Sequence, residues 1–217
     1  MKIYHLAKEN SILSQFLSEI RNVTVQNDSM RFRRNIERIG EILGYELSKK
    51  LSFETQEIQT PLAKKIVNKT TNEIVLCSIL RAGIPLHNGL LNYFDNAENA
   101  FISAYRHHPN NDEKSEIKVE YFASPSIEGK TVLLIDPMIA SGSSLVAVYQ
   151  AIKKFGTPKE IKIVAVLGAE EGIKHISSYF PENTELWIAD IDEKLNEKGY
   201  IVPGLGDAGD LAFGTKI

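Results

Sequence analysis

Two arginines, one aspartate and a run of small hydroxyl residues are the groups in this sequence best suited to chemistry on a phosphorylated ligand. The run is Asp136-Pro137-Met138-Ile139-Ala140-Ser141-Gly142-Ser143-Ser144. Residues 132–135 before it are uninterruptedly apolar, which predicts a strand buried on both faces. Residues 145–155 after it carry Leu145, Val148, Ile152 and Phe155 at helical spacing. A strand that passes through a small-residue loop into a helix start gathers free backbone N–H groups and the positive end of the helix dipole. That combination is an anion site. Ser141, Ser143 and Ser144 can add hydroxyl donors, and Gly142 lets the backbone approach a ligand. Asp136 ends the strand at its carboxyl edge, where open α/β sheets bind their ligands. An acid there repels phosphate, so Asp136 is expected to face sugar hydroxyls or a Mg2+ ion.

Arg81 follows the apolar run 74–80, and Arg106 follows the run 100–105; both runs read as strands. In a parallel sheet, Arg81, Arg106 and Asp136 then fall along one edge. A guanidinium is planar and donates two parallel charge-assisted bonds to phosphate oxygens. Two arginines and a helix start are more anion capacity than one monophosphate needs. They suit a ligand with a monophosphate at one end and a pyrophosphate at the other. For either arginine alone, a structural ion pair is the competing reading. The loop is neither a Walker A sequence nor a Gly-x-Gly-x-x-Gly fingerprint. His5, His87 and His175 lack metal-ligand spacing, while His107 and His108 sit in a polar stretch and read as solvated. No Ser/His/Asp order suggests a nucleophile.

The elements that must position these groups alternate. Asn10 or Ser11 is a candidate cap for one helix and Asp28 or Ser29 for a second, which has an apolar stripe of Phe32, Ile36, Ile39, Leu43 and Leu47. Arg31, Arg33, Arg34 and Arg38 cluster near its start and read as a solvated face paired with Glu37 and Glu41. A reach to phosphate or a partner subunit is the sharper alternative. Residues 53–60 predict an edge strand, 84–94 a helix, 117–122 one arm of a hairpin, 161–167 a strand, 169–179 a helix and 185–189 a strand. Residues 107–115 are polar and read as a loop. Alternating strands and helices predict an α/β fold with a mainly parallel sheet flanked by helices. The stretch from 192 onward carries Gly199, Gly204, Gly206, Gly209 and Gly214 with interleaved Tyr200, Ile201, Val202, Leu205 and Phe213. It is expected to fold over a site and, together with a β-hairpin arm, to form a small hood.

Composition narrows the class. The chain has 217 residues, 43% hydrophobic and 24% charged, consistent with a single domain spanning residues 1–217. A formal charge of −3 counts against a nucleic-acid protein built on a broad basic surface. The single cysteine, Cys77, rules out an intramolecular disulfide and reads as core. No apolar run reaches the ~18 residues of a membrane span, and no apolar signal stretch opens the sequence, so a cytoplasmic protein without membrane contact is expected.

The loop 135–144, with Asp136-Pro137-Met138 where many phosphoribosyltransferases have paired acids, resembles the phosphoribosyl-pyrophosphate (PRPP) loop of uracil phosphoribosyltransferases. Gly199-Tyr200-Ile201-Val202-Pro203-Gly204-Leu205-Gly206-Asp207-Ala208-Gly209-Asp210 and Phe213-Gly214-Thr215 are similar to that family's uracil-binding segment. Ile79-Leu80-Arg81-Ala82-Gly83, Tyr105-Arg106 and Arg31-Phe32-Arg33 also match, so the resemblance covers nearly the whole chain.

The resemblance implies the transfer of a phosphoribosyl group from PRPP to N1 of uracil, giving UMP and pyrophosphate in pyrimidine salvage. It implies Mg2+ carried mainly on PRPP, and a homodimer or higher homo-oligomer. Arg81 and Arg106 would bind the diphosphate. Asp136, Pro137, Met138, Ile139, Ala140, Ser141, Gly142, Ser143 and Ser144 would hold the ribose and its 5-phosphate. Ile201, Gly206, Asp207 and Ala208 would line the uracil pocket, with Asp207 also touching PRPP. Asp136, Arg106 and Asp207 would be the catalytic set.

The sequence departs from the family at Ile84-Pro85-Leu86, at Ser143 in place of a glycine, and after Arg106. A nucleotide- or RNA-sensing homologue, or transfer to another base, are the competing functions.

Overall fold

The apolar runs form strands because each alternates its side chains between two separate cores. β4 (Ile74–Leu80), β7 (Thr131–Ile135), β9 (Glu160–Ala169) and β10 (Glu185–Asp192) lie at the centre of the sheet. On β7, Leu133 and Ile135 enter one core while Val132 and Leu134 enter the other. Every residue of that strand is therefore apolar or small, as a strand covered on both faces requires. The computed structural model describes residues 1–107 and 116–216; for 104–107 and 116–118 it describes the backbone only. His108 and most of the loop expected over 107–115 lie outside the described residues.

Among the described residues, one eight-stranded sheet runs in the order β1 (Lys2–His5), β10, β9, β7, β4, β5 (Glu98–His107), β6 (Glu116–Ala123). A two-residue strand, β8 (Met138–Ile139), adds to β9. The ladders from β1 to β5 are parallel, and β6 runs antiparallel to β5. The expected hairpin arm at 117–122 is thus the antiparallel edge of the sheet. The short edge strand β1 is absent from the sequence reading.

Helices cover both faces. α1 (Ile12–Arg21), α2 (Ser29–Ser48) and α3 (Gly83–Leu91) build one core through Leu13, Leu17, Ile20, Phe32, Ile36 and Leu86. α4 (Ser143–Ile152) and α5 (Glu170–Ser177) build the other through Leu145, Val148, Ile173 and Ile176. The Ser11 hydroxyl accepts from Leu13 N–H at 3.2 Å, and the Asp28 carboxylate accepts from Arg31 N–H at 3.0 Å. Of the two candidate pairs, Ser11 and Asp28 are therefore the caps, and each satisfies an otherwise orphaned donor. Cys77 is buried in the second core, where burial pushes its thiol up to about 12.

The arginine cluster divides. Arg31 pairs with Glu19 at 2.8 Å, and Arg34 with Glu37 at 2.9 Å and Glu41 at 3.4 Å, the solvated-face outcome. Arg38 donates to Asn35, while Arg33 donates to the carbonyl of Ala212 at 2.6 Å.

Residues 53–60 do form a strand, β2 (Phe53–Gln59), but not in the main sheet. It pairs antiparallel with β3 (Lys64–Thr70) as a separate two-stranded hairpin. Nearly every residue of that hairpin is exposed, so β3 carries no apolar period by which to recognise it. The last stretch folds as β11 (Lys194–Leu195), β12 (Ile201–Val202) and α6 (Ala208–Phe213).

Topology fixes where a ligand can enter. After β4 the chain crosses through α3 to β5 on one side; after β7 it crosses through α4 to β9 on the other. Adjacent parallel strands whose connections diverge leave a crevice beyond their carboxyl ends. The register pairs Ser78 with Ile135, so the segments beginning at Arg81 and Asp136 flank that crevice.

Candidate active site

The loop after β7 is held to its neighbouring elements chiefly by backbone. The carbonyl of Pro137 accepts from Val166 N–H at 3.0 Å and Leu167 N–H at 2.9 Å. Met138 and Ile139 continue this ladder as β8. α5 then presses on the loop so closely that a Cβ on Gly172 would lie 1.8 Å from the Ala140 carbonyl oxygen. Gly142 caps α4 at φ 78°, and a Cβ there would meet Ile176 Cγ2 at 2.5 Å. Only glycine satisfies both the angle and the space. Ser143, the departure from the family pattern, is the first residue of α4 and takes a helical conformation that serine adopts freely. The cap residue Gly142 has no side chain to bond the first turn of α4, and the Ser143 N–H donates to the Ser141 hydroxyl at 3.4 Å, beside the recess that Ser141 and Gly142 line. Ser141 and Ser143 hydroxyls lie 3.1 Å apart.

Asp136 sits at the cavity floor, where its carboxylate accepts from Met138 N–H at 3.2 Å. Burial pushes this carboxyl up to about 7, and the single backbone bond opposes the shift only partly.

The opposite wall comes from the last stretch of the sequence. Arg21 at the end of α1 donates to Asp192 at 2.8 and 2.9 Å, to Asp190 at 2.7 Å and to the Gly204 carbonyl at 3.0 Å. Asp192 in turn accepts from Gly204 N–H at 3.0 Å. Burial raises the Asp190 carboxyl, but hydrogen bonds from Arg21 and His5 outweigh it and hold the group below its ordinary value. Gln26 donates to the Leu205 carbonyl at 3.2 Å, and Asp207 caps α6 by accepting from Asp210 N–H at 2.9 Å. The glycine-rich stretch is thereby fixed as a wall.

Between these walls lies a cavity of about 630 Å³. Of the residues singled out by sequence, Arg81, Asp136, Met138, Ala140, Ser144, Ile201, Gly206, Asp207 and Ala208 line it. Ser141 and Gly142 line an adjoining recess of about 40 Å³ together with Asp136 and Ser144. Pro137, Ile139 and Ser143 line neither; Ile139 is buried in the core behind the loop. Arg106 lies on β5 three residues beyond Ser103, which pairs with Leu80, so its backbone is on the same sheet edge. Its side chain is outside the described residues.

Tyr200, from the segment that resembles the uracil-binding one, also lines the cavity, as do Ser103, Lys198 and Lys216, which were not among the expected site residues. Ser103 carried a usable signal, being on the strand that leads to Arg106. Lys198 and Lys216 are ordinary surface lysines in sequence and carried none.

The chain also has relatives. A family model described as uracil phosphoribosyltransferase matches residues 7–215. A uracil phosphoribosyltransferase of Porphyromonas gingivalis is 47% identical over 217 residues, covering 100% of each chain. Another, from Pyrococcus furiosus, is 41% identical over 213 residues, covering 97% of this chain and 89% of its own. A solved structure of a protein from Aquifex aeolicus superposes with a TM-score of 0.87 at 32% identity, covering 99% of both chains. With a crevice at the divergence of β4 and β7, and with matches along nearly its whole length, the chain belongs to the uracil phosphoribosyltransferase family.

Proposed function

We propose that this chain, as one catalytic domain, joins uracil to the phosphoribosyl group of PRPP and releases pyrophosphate, giving UMP. The observation that carries the assignment of roles is that a single cavity is lined at once by the loop after β7 and by the segment containing Ile201, Gly206, Asp207 and Ala208. The N-terminus of α4, with the hydroxyls of Ser141 and Ser144, holds the 5-phosphate. Asp136 accepts from the ribose hydroxyls and does so best as a carboxylate. Arg81 and Arg106 hold the diphosphate.

Uracil offers acceptor, donor and acceptor groups along one edge. Gly206, at φ 94° and without a side chain, exposes backbone that can match them. Cytosine in the same place would set donor against donor and leave buried groups unpaired. In the reaction the C1–oxygen bond breaks and its electron pair leaves on pyrophosphate, C1 bonds to uracil N1, and the N1 proton passes to the departing pyrophosphate or to solvent. C1 gains positive character on the way and the departing group gains negative charge, which the arginines stabilise. The two walls hold N1 in line with C1, so positioning supplies much of the rate.

Mg2+ is compatible with the residues present. Among the described residues no three His, Cys, Asp or Glu side chains cluster as a cage. Mg2+ is commonly held by one or two carboxylates together with substrate phosphates, and Asp136 and Asp207 are the carboxylates lining this cavity. When bound on PRPP it would neutralise diphosphate charge. The exposed β2–β3 hairpin, carrying Phe53 and Ile66 on its surface, supports self-association of this chain as a dimer or larger assembly. No helix among the described residues is long and apolar enough to cross a membrane.

The deciding experiment offers uracil, cytosine and hypoxanthine to the purified protein with PRPP and Mg2+. UMP from uracil alone is expected. A folded protein that forms no UMP, or prefers hypoxanthine, overturns the assignment.

A further inference from the structure

At the mouth of the cavity two cations share two carboxylates. Lys216 Nζ lies 3.4 Å from Asp207 Oδ2 and 3.9 Å from Asp210 Oδ1. Arg81 Nη2 lies 3.3 Å from that same Asp210 oxygen and donates to the Gly214 carbonyl at 3.1 Å. Gly214, at φ 88° after α6, turns the backbone so that Lys216 reaches the cavity that Arg81 and Asp207 also line. We propose that Lys216 is a further diphosphate-binding residue of this site. Its ammonium leaves Asp207 for the phosphate oxygens as Arg81 leaves Asp210 and Gly214.

Two observations and the chemistry of a diphosphate support the exchange. The contacts made by Lys216 and Arg81 are long compared with the 2.8 Å bond that fixes Arg21 to Asp192 in the same segment. Long, half-exposed ion pairs are weak and are readily traded for a better anion. Lys216 and Arg81 are also 61% and 41% exposed, so either can turn into the cavity without leaving a hole in the core. Finally, a diphosphate spreads several charges over many oxygens. A forked guanidinium meets two of them in fixed directions, and a mobile ammonium on a long stem can follow the others. With Lys216 drawn to phosphate, Asp207 is released from its cation and is free to accept from a ligand donor.

The proposal rests on reading this cavity as the PRPP site, and binding separates the two. Titration calorimetry with Mg2+–PRPP and with Mg2+–pyrophosphate is run on the wild type, Lys216→Gln and Lys216→Arg, alongside steady-state kinetics and thermal melting. For Lys216→Gln, affinity for both ligands should fall roughly fivefold or more, as expected for loss of one charge-assisted contact. KM for uracil should stay within about twofold, the melting temperature should hold, and Lys216→Arg should recover most of the loss. Unchanged pyrophosphate and PRPP affinity in Lys216→Gln overturns the proposal, as does an equal loss for uracil. A wild type that binds both ligands yet makes no UMP overturns the catalytic reading while the variant comparison still decides Lys216. A wild type that binds neither overturns both.

Discussion

The two walls of the cavity are built by different physics. The wall after β7 is backbone pressed against backbone: Pro137 in the β9 ladder, and Gly142 and Gly172 where no Cβ fits. The facing wall, residues 201–208, is suspended from side chains of other elements, chiefly Arg21 and Gln26. Close-packed backbone has no intermediate positions, whereas a side-chain clamp can loosen by degrees. The phosphate side should therefore fail abruptly when altered, and the base side gradually.

The sharpest break is Gly172→Ala. Its Cβ would fall 1.8 Å from the Ala140 carbonyl oxygen, so the loop or α5 must move. We expect about 3 kcal/mol of lost stability and no measurable Mg2+–PRPP binding, read by chemical denaturation and calorimetry.

Asp136→Asn comes next. Turnover should drop on the order of 100-fold in kcat/KM for PRPP as charge-assisted bonds to the ribose weaken. The pH dependence sharpens this. The unfolded chain ionises Asp136 near 3.8, but the folded chain keeps its proton up to about 7. Wild-type stability from this group is therefore greatest in acid, falls as pH rises between those values, and is level above them. The asparagine variant should lack that decline when denaturation midpoints are compared at two pH values. PRPP affinity should run the opposite way in the wild type, rising as pH climbs through about 7, because the ligand needs the carboxylate.

On the base side Arg21→Lys keeps the charge but loses the fork that spans Asp190, Asp192 and Gly204. KM for uracil should rise roughly tenfold, about 1.4 kcal/mol, with PRPP affinity within about twofold. Equal losses for both substrates would erase the distinction between the walls. The smallest effect belongs to Ser143→Gly. Ser143 is helical, so the change should cost about 0.5–1 kcal/mol of stability and leave activity within about threefold in a standard UMP assay.

Legibility in sequence followed the same divide. β7, its loop and α4 could be read because a doubly buried strand, a small-residue turn and a helical apolar period each leave a separate mark. The matching of the glycine-rich segment to a uracil pocket came from resemblance; its residues show no period. Arg21 escaped notice because a lone arginine at a helix end looks like any surface charge, and its carboxylate partners lie 169 and 171 residues away in the chain. β3 was invisible for the opposite reason: with both faces in water, nothing in its sequence alternates.

Cys77 has a practical consequence. It is the only thiol in the sequence, it is 1% exposed, and burial holds it protonated up to about 12. The folded chain is accordingly silent toward thiol-directed reagents at neutral pH. A cysteine introduced at Thr215, which is exposed beside Lys216, would be the single reactive handle for a fluorophore or spin label. The movement of that segment as diphosphate arrives could then be timed directly, on the unmodified background of the native core.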